Sequence, residues 1–162
     1  MPRKAAAPFV LPEALISAYA TNNRINVYLL EALEDEAWRA EPPDGKGRTI
    51  AAIASHMHNV RLMWLKAIGA TSIPPKLERS SVTKAEAIEA FDKSWNAMQE
   101  VLQSAVNGDG RVKGFKPDVA GFFGYLISHD AHHRGQMVML ARQMGHPLNQ
   151  SAMFGMWEWG SR

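Results

Sequence analysis

Apolar residues recur every three or four positions along four long stretches of the chain, which is the period of one buried face of an α-helix. The first stretch runs from about Pro12 to about Glu36. The second begins at Thr49, a residue type that favours the N-cap, and continues until Gly69, which favours a helix end. No stretch alternates apolar and polar residues as a half-buried strand would, so the pattern predicts an all-α chain.

Two further helices are predicted in the second half of the chain. Thr83 and Glu86 have the spacing of a capping box, and apolar residues at intervals of three and four follow them. The last helix is predicted from about Val119 to Met144, with Gly145 as its stop. Four helices of about 20 to 26 residues, joined by loops rich in Pro, Gly and Ser, are typical of a four-helix bundle.

The length of 162 residues suits a single domain over 1–162, with an irregular aromatic tail from about residue 146. We expect Phe154, Trp157 and Trp159 in this tail to pack onto the bundle or into a partner subunit. Cysteine is absent, which excludes disulfides, thiolate metal ligands and a cysteine nucleophile.

Charge and hydropathy argue against two kinds of partner. The net charge is +2 and the basic residues are scattered, so nucleic-acid binding is not indicated. No apolar run approaches the ~20 residues of a membrane span, and the basic N-terminus lacks the apolar core of a signal peptide. The sequence therefore predicts a soluble, cytoplasmic protein that binds neither nucleic acid nor membranes.

Five of the six histidines fall in two helical windows, SHMHN and SHDAHHRGQ. Since each residue of a helix advances about 100° around the axis, His129 and His133 both lie on the apolar stripe of the last helix. His56 continues the inner face of the second helix. His58 lies about 200° away from it and is predicted to be exposed, and His132 lies at the edge of its stripe.

Three inward histidines from two helices would bind one divalent transition metal through nitrogen and leave at least one coordination position open. For any one of them alone, a hydrogen-bonded role in the core is the more common arrangement. The three together favour the metal site. Asn22 and Asn26 on the first helix, and Gln136 after His133, are candidates to orient an imidazole or to bond a metal-bound water. The two asparagines could equally mark a hydrated end of the bundle.

Other interpretations of the same residues remain open. The stretch from His129 to His133 has the spacing of the HExxH motif of zinc proteases, with Asp130 in place of Glu as base. On a bundle core Asp130 should instead point away from the metal, and an outer ion pair with Arg134 is expected. A di-iron centre would need Glu-x-x-His pairs, which the sequence lacks. A purely structural helical protein would bind no metal.

These residues resemble the DinB/YfiT-like superfamily of bacterial metal-binding four-helix bundles. TIAAIASHMHN is similar to the family's pattern of a hydroxyl residue, an apolar run and a histidine. HDAHHRGQ is similar to its two histidines separated by three residues and followed by Arg-Gly-Gln. The resemblance places His56, His129 and His133 as the metal ligands. TNNRINVYLLEAL and the WEW near the end are weaker matches.

The resemblance also implies a bundle of unusual helix order, a bound nickel, zinc, iron or manganese ion, a small-molecule substrate and often a homodimer. Characterised members of the superfamily include thiol-dependent S-transferases, isomerases and hydrolases that use low-molecular-weight thiols such as bacillithiol or mycothiol. A consistent mechanism has the metal activate a thiol or water as nucleophile. The alternative is a non-catalytic metal- or ligand-binding protein of stress response. The native metal and the substrate are not indicated.

Overall fold

The computed structural model describes residues 8–162, and most of this part of the chain is helical. The prediction of an all-α fold is confirmed. The basic N-terminal stretch lies outside the described residues. The elements in chain order are α1 (Leu11–Ala32), α2 (Asp35–Arg39), α3 (Ile50–Ile68), α4 (Lys84–Asn107), β1 (Arg111–Val112), β2 (Phe115–Asp118), α5 (Val119–Gln143) and α6 (Gln150–Gly155).

Local cap residues determine where two of the long helices begin or end. The Thr49 side chain accepts a hydrogen bond from the backbone of Ala52 at the start of α3, and Gly69 ends that helix in the left-handed region with φ of 89°. Thr83 and Glu86 form the complete capping box at the start of α4. The predicted start and end of α3 and the predicted start of α4 are confirmed.

The prediction of one helix from Pro12 to Glu36 is wrong, because the chain breaks after Ala32 and resumes as the short helix α2. Leu33 and Glu34 are extended at the break. The change of direction buries Trp38, whose Nε1 donates to the carbonyl oxygen of Val82 at 3.0 Å. The burial of this large side chain depends on tertiary packing, so local helix signals do not predict the break.

Two more segments differ from the prediction. A two-stranded antiparallel hairpin of β1 and β2 lies between α4 and α5, with Val112 opposite Phe115. Strands of two and four residues are too short to show an alternating pattern. The tail is not wholly irregular, since Asn149 caps the short helix α6 by accepting from the backbone of Ala152.

The four long helices pack in an order that differs from their order in the chain. Both α1 and α3 pack mainly against α4 and α5 and lie diagonally opposite each other. Going around the bundle, the order is therefore α1, α4, α3, α5. This is the unusual helix order that the resemblance implies.

Two apolar clusters fill the bundle, and a polar layer separates them. One cluster includes Leu29, Met57, Phe91 and Met137, and the other includes Tyr19, Leu65, Met98 and Leu126. Each long helix contributes to both clusters and carries buried polar side chains between them. These residues, called the polar layer below, are Asn22, Asn23, Asn26, Arg61, Ser94 and Asp130.

Two large aromatic side chains of the tail lie at the surface. Phe154 and Trp157 are 63% and 78% exposed. The expectation that they pack back onto the bundle is therefore wrong. Their packing into a partner subunit stays a prediction. Among residues 8–162, none of the helices combines the length and apolar character needed to cross a membrane.

Candidate metal centre

Three histidine side chains converge where α3 faces α5. His56 comes from α3, and His129 and His133 come from successive turns of α5. One ring nitrogen from each lies within 4.8 Å of the others. The Nε2 atoms of His56 and His129 are 3.4 Å apart. The structure thus brings together the three residues that the sequence singled out as metal ligands.

The donor set fits one divalent transition metal. Nitrogens bound tetrahedrally at the usual Zn–N length are separated by about 3.3 Å, close to the spacing of the His56 and His129 nitrogens. Imidazole nitrogen suits zinc, nickel and iron. Three protein ligands leave at least one position for water or substrate, as in catalytic sites. The three side chains can therefore hold a metal ion.

Gln136 contacts one of the three histidines directly. Its Oε1 accepts from Nδ1 of His133 at 2.7 Å, which leaves the Nε2 lone pair of His133 for a metal. The amide Nε2 of Gln136 donates to Nε2 of His132 at 3.0 Å. Gln136 thus fixes the tautomer of His133. His132 itself is exposed and lies outside the cluster of three.

Asp130 is buried in the polar layer, and its predicted position on an outer face is wrong. Its Oδ2 accepts from Asn22 and Asn26 and pairs with Arg61 at 3.0 Å. Its Oδ1 lies 3.8 Å from Nδ1 of His129, which is too far for a hydrogen bond. This nitrogen is on the side of the ring opposite Nε2. Asp130 therefore flanks His129 on the side away from the histidine cluster. This geometry disfavours the interpretation of Asp130 as the base of a zinc protease.

Asn22 and Asn26 contact Asp130, which in turn lies beside His129. Their amide nitrogens donate to its Oδ2 at 2.7 and 2.8 Å, and their carbonyl oxygens accept from Arg134. Arg134 is therefore half-buried against α1, not in the predicted surface ion pair. The two asparagines therefore orient the carboxylate beside His129 and make no hydrogen bond to an imidazole.

Comparison with known proteins agrees with this geometry. The chain matches the model of the DinB family over residues 1–157. The protein belongs to the DinB family. No curated protein matches the chain. The helix order and the three clustered histidines are thus features of a DinB protein.

Arg61 is the residue of this DinB protein's site that the sequence analysis missed. It is fully buried, donates to Asn23 at 2.7 Å and lies over the ring of Phe91 at 4.8 Å. Burial alone would raise the pKa of Asp130, but the adjacent Arg61 and several hydrogen bonds hold that pKa below its usual value. A signal was present, because Arg61 lies one turn from both Met57 and Leu65 on the buried stripe of α3.

His58 is buried, and its predicted exposure is wrong. The loop between α3 and α4 covers this face of α3, and Nε2 of His58 bonds the carbonyl oxygen of Pro75 at 3.0 Å. The neighbouring Asn59 bonds the backbone of Leu77 in both directions. His58 therefore anchors a loop and does not belong to the metal cluster.

Two of the three clustered histidines of this DinB protein are held in the form that binds metals. Burial, together with the charges of Arg48 and of the other two histidines, lowers the pKa of His56 to about 4. Burial also lowers the pKa of His133. Both imidazoles are therefore neutral near pH 7, and no proton has to leave before they ligate a metal.

A cleft of about 960 Å³ opens beside the histidine cluster. His132, His133 and Gln136 line it on the α5 side. The segment between α2 and α3 also lines it, with Lys46 and Arg48 among its residues. A ligand in this cleft would lie next to His133, so the cleft is the natural approach to an open coordination position.

Proposed function

We propose that this DinB protein is a metal-dependent enzyme that binds one nickel, zinc, iron or manganese ion through His56, His129 and His133. The observation that carries the proposal is the convergence of three imidazoles beside an open cleft. When bound, such a metal would lower the pKa of a thiol or water and favour its reaction as nucleophile. The proposed reaction is thiol-dependent group transfer or hydrolysis.

The surrounding residues support this role by holding the ligands in place. Gln136 keeps Nδ1 of His133 protonated and its Nε2 free. Asp130 is fixed by Asn22, Asn26 and Arg61 at a position beside His129. Because all three ligands are uncharged, they would not offset the charge of the metal, which favours binding of an anionic thiolate or hydroxide.

A thiol nucleophile would have to arrive as a co-substrate. The chain contains no cysteine, so no side chain can supply the sulfur. A low-molecular-weight thiol entering the cleft would approach from the His133 side. Metal availability would then decide among the four metals, since an all-nitrogen set accepts each of them.

The activity test is turnover of a panel of small thiols with a chromogenic electrophile, using protein loaded with each of the four metals. We expect a metal-dependent rate that is lost in His133→Ala and kept in His146→Ala, whose histidine pairs with Glu34 away from the cluster. A protein that binds metal but shows neither thiol transfer nor ester hydrolysis would instead support the non-catalytic alternative.

We also propose that two copies of the chain associate through the aromatic tail. Phe154 and Trp157 expose large apolar surfaces that a partner subunit would cover. Light scattering should give twice the 18.0 kDa of the chain, and Trp157→Ser should shift the protein toward the monomer. Phe9→Ser, which changes another exposed aromatic residue, is the control. A monomer at every concentration would contradict the proposal.

A further inference from the structure

The cleft beside His133 has one cationic wall and one apolar wall. Lys46 and Arg48 lie on the segment between α2 and α3. Gly45 and Gly47, with φ of 63° and 97°, shape the backbone around them. The apolar wall is formed by side chains from α3 and α5, namely Ile53, Met139 and Leu140.

The two cations are available to a ligand. Among residues 8–162, neither Lys46 nor Arg48 takes part in an ion pair. The one acidic residue that lines the cleft is Asp44, whose Oδ1 accepts from the backbone nitrogen of Lys46 at 3.0 Å. Lys46 and Arg48 therefore make the cleft positive, and the uncharged ligands of the proposed metal site add no negative charge to it.

The positive charge acts close to the histidines. Lys46 and Arg48 line the same cavity as His133. Met139, 56% exposed, presents apolar surface to the other side of the same cleft. A ligand can thus meet a cation, an apolar surface and a metal-ligating histidine within one cavity.

We propose that the substrate of this site is a small organic anion. Its carboxylate pairs with Arg48 and Lys46, its apolar body lies on Ile53, Met139 and Leu140, and its reacting end faces His133. Only the placement of the reacting end at His133 rests on the proposed function. The binding of the anion does not depend on it.

Size and surface character favour this class over more highly charged ligands. A volume of about 960 Å³ is typical of sites for small molecules. Arg recognises carboxylates through two parallel hydrogen bonds, whereas the apolar wall offers nothing to a polyphosphate. Gln143, which also lines the cleft, can donate to a second polar group of the ligand.

The test compares 4-phenylbutyrate with its uncharged amide by titration calorimetry. Both are added to the protein as purified and again after zinc loading, with metal content measured on each sample. The variants are Arg48→Gln, Lys46→Gln and the double substitution. Lys66→Gln and Arg79→Gln change exposed cations that do not line the cleft and serve as controls.

We expect the carboxylate to bind more tightly than the amide, and the double substitution to weaken carboxylate binding about tenfold while the amide is unaffected. Three results would each overturn the proposal: no carboxylate binding at millimolar concentration, equal binding of the amide, or unchanged carboxylate binding in the double variant. If the proposed metal site is wrong, the protein will contain no metal after zinc loading but will still bind the carboxylate more tightly than the amide.

Discussion

Asp130 links the polar layer of the core to the histidine cluster. One carboxylate oxygen is fully engaged by Asn22, Asn26 and Arg61, and the other lies beside His129. A buried carboxylate is costly unless it is paired and hydrogen-bonded, and here both conditions are met. The cost of burying this charge is thus offset by contacts that also fix its position next to a ligand.

Replacing Asp130 by Asn should destabilise the protein by about 3–5 kcal/mol, because the charge of Arg61 would remain buried without its partner. Urea unfolding, followed by circular dichroism, measures the change. Asp109→Asn is the matched control, since Asp109 is exposed and pairs with Arg111 only at 3.9 Å. A loss below about 1 kcal/mol in Asp130→Asn would show that the pair does not hold the core as described.

At the scale of the elements, the long helices and their ligands follow from local signals. Thr49, Gly69 and the capping box at Thr83 act on their own backbone, so a sequence reveals them. The histidines of α5 are one helical turn apart, which projection onto a helix recovers. Arg61 could have been found by the same projection, because it shares the buried stripe of α3 with Met57 and Leu65. Trp38 was not predictable in this way, because its burial depends on the chain break after α1 and on the packing of α2.

Gln136 shows how the geometry of one helix positions a ligand. It lies three residues after His133 on α5, and its side chain therefore reaches back to Nδ1 of that ring. Gln136→Ala should weaken metal binding about 10- to 100-fold with little loss of fold, because residues that orient metal ligands have effects of this size. Competition with a chromogenic chelator measures the affinity. Gln143→Ala, in the same cleft without contact to a ligand, should bind metal like the wild type.

At the scale of the whole molecule, the lowered pKa values of His56 and Asp130 make the stability of the bundle sensitive to acid. The folded protein keeps His56 neutral, with its pKa lowered to about 4, whereas the unfolded chain protonates it near 6.5. Stability should therefore fall as the pH drops from about 6.5 toward 4. The depressed pKa of Asp130 adds a second loss only below about pH 4, where the unfolded chain takes up its proton.

This pH dependence can be measured on metal-free protein from the midpoint of urea unfolding at pH 7 and pH 4.5. The wild type should lose stability between the two values, and His56→Gln should lose less, because the glutamine does not titrate. His146→Gln is the control for a histidine outside the cluster. Equal losses of stability in the wild type and in His56→Gln would contradict the lowered pKa of His56 in the folded protein.

The most direct test of the proposed metal site is metal content by mass spectrometry of untagged protein. We predict about one divalent metal per chain in the wild type, lost in His56→Ala, His129→Ala and His133→Ala. His132→Ala and His146→Ala should keep it. A folded wild-type protein that contains no metal and takes up none of nickel, zinc, iron or manganese would contradict the account.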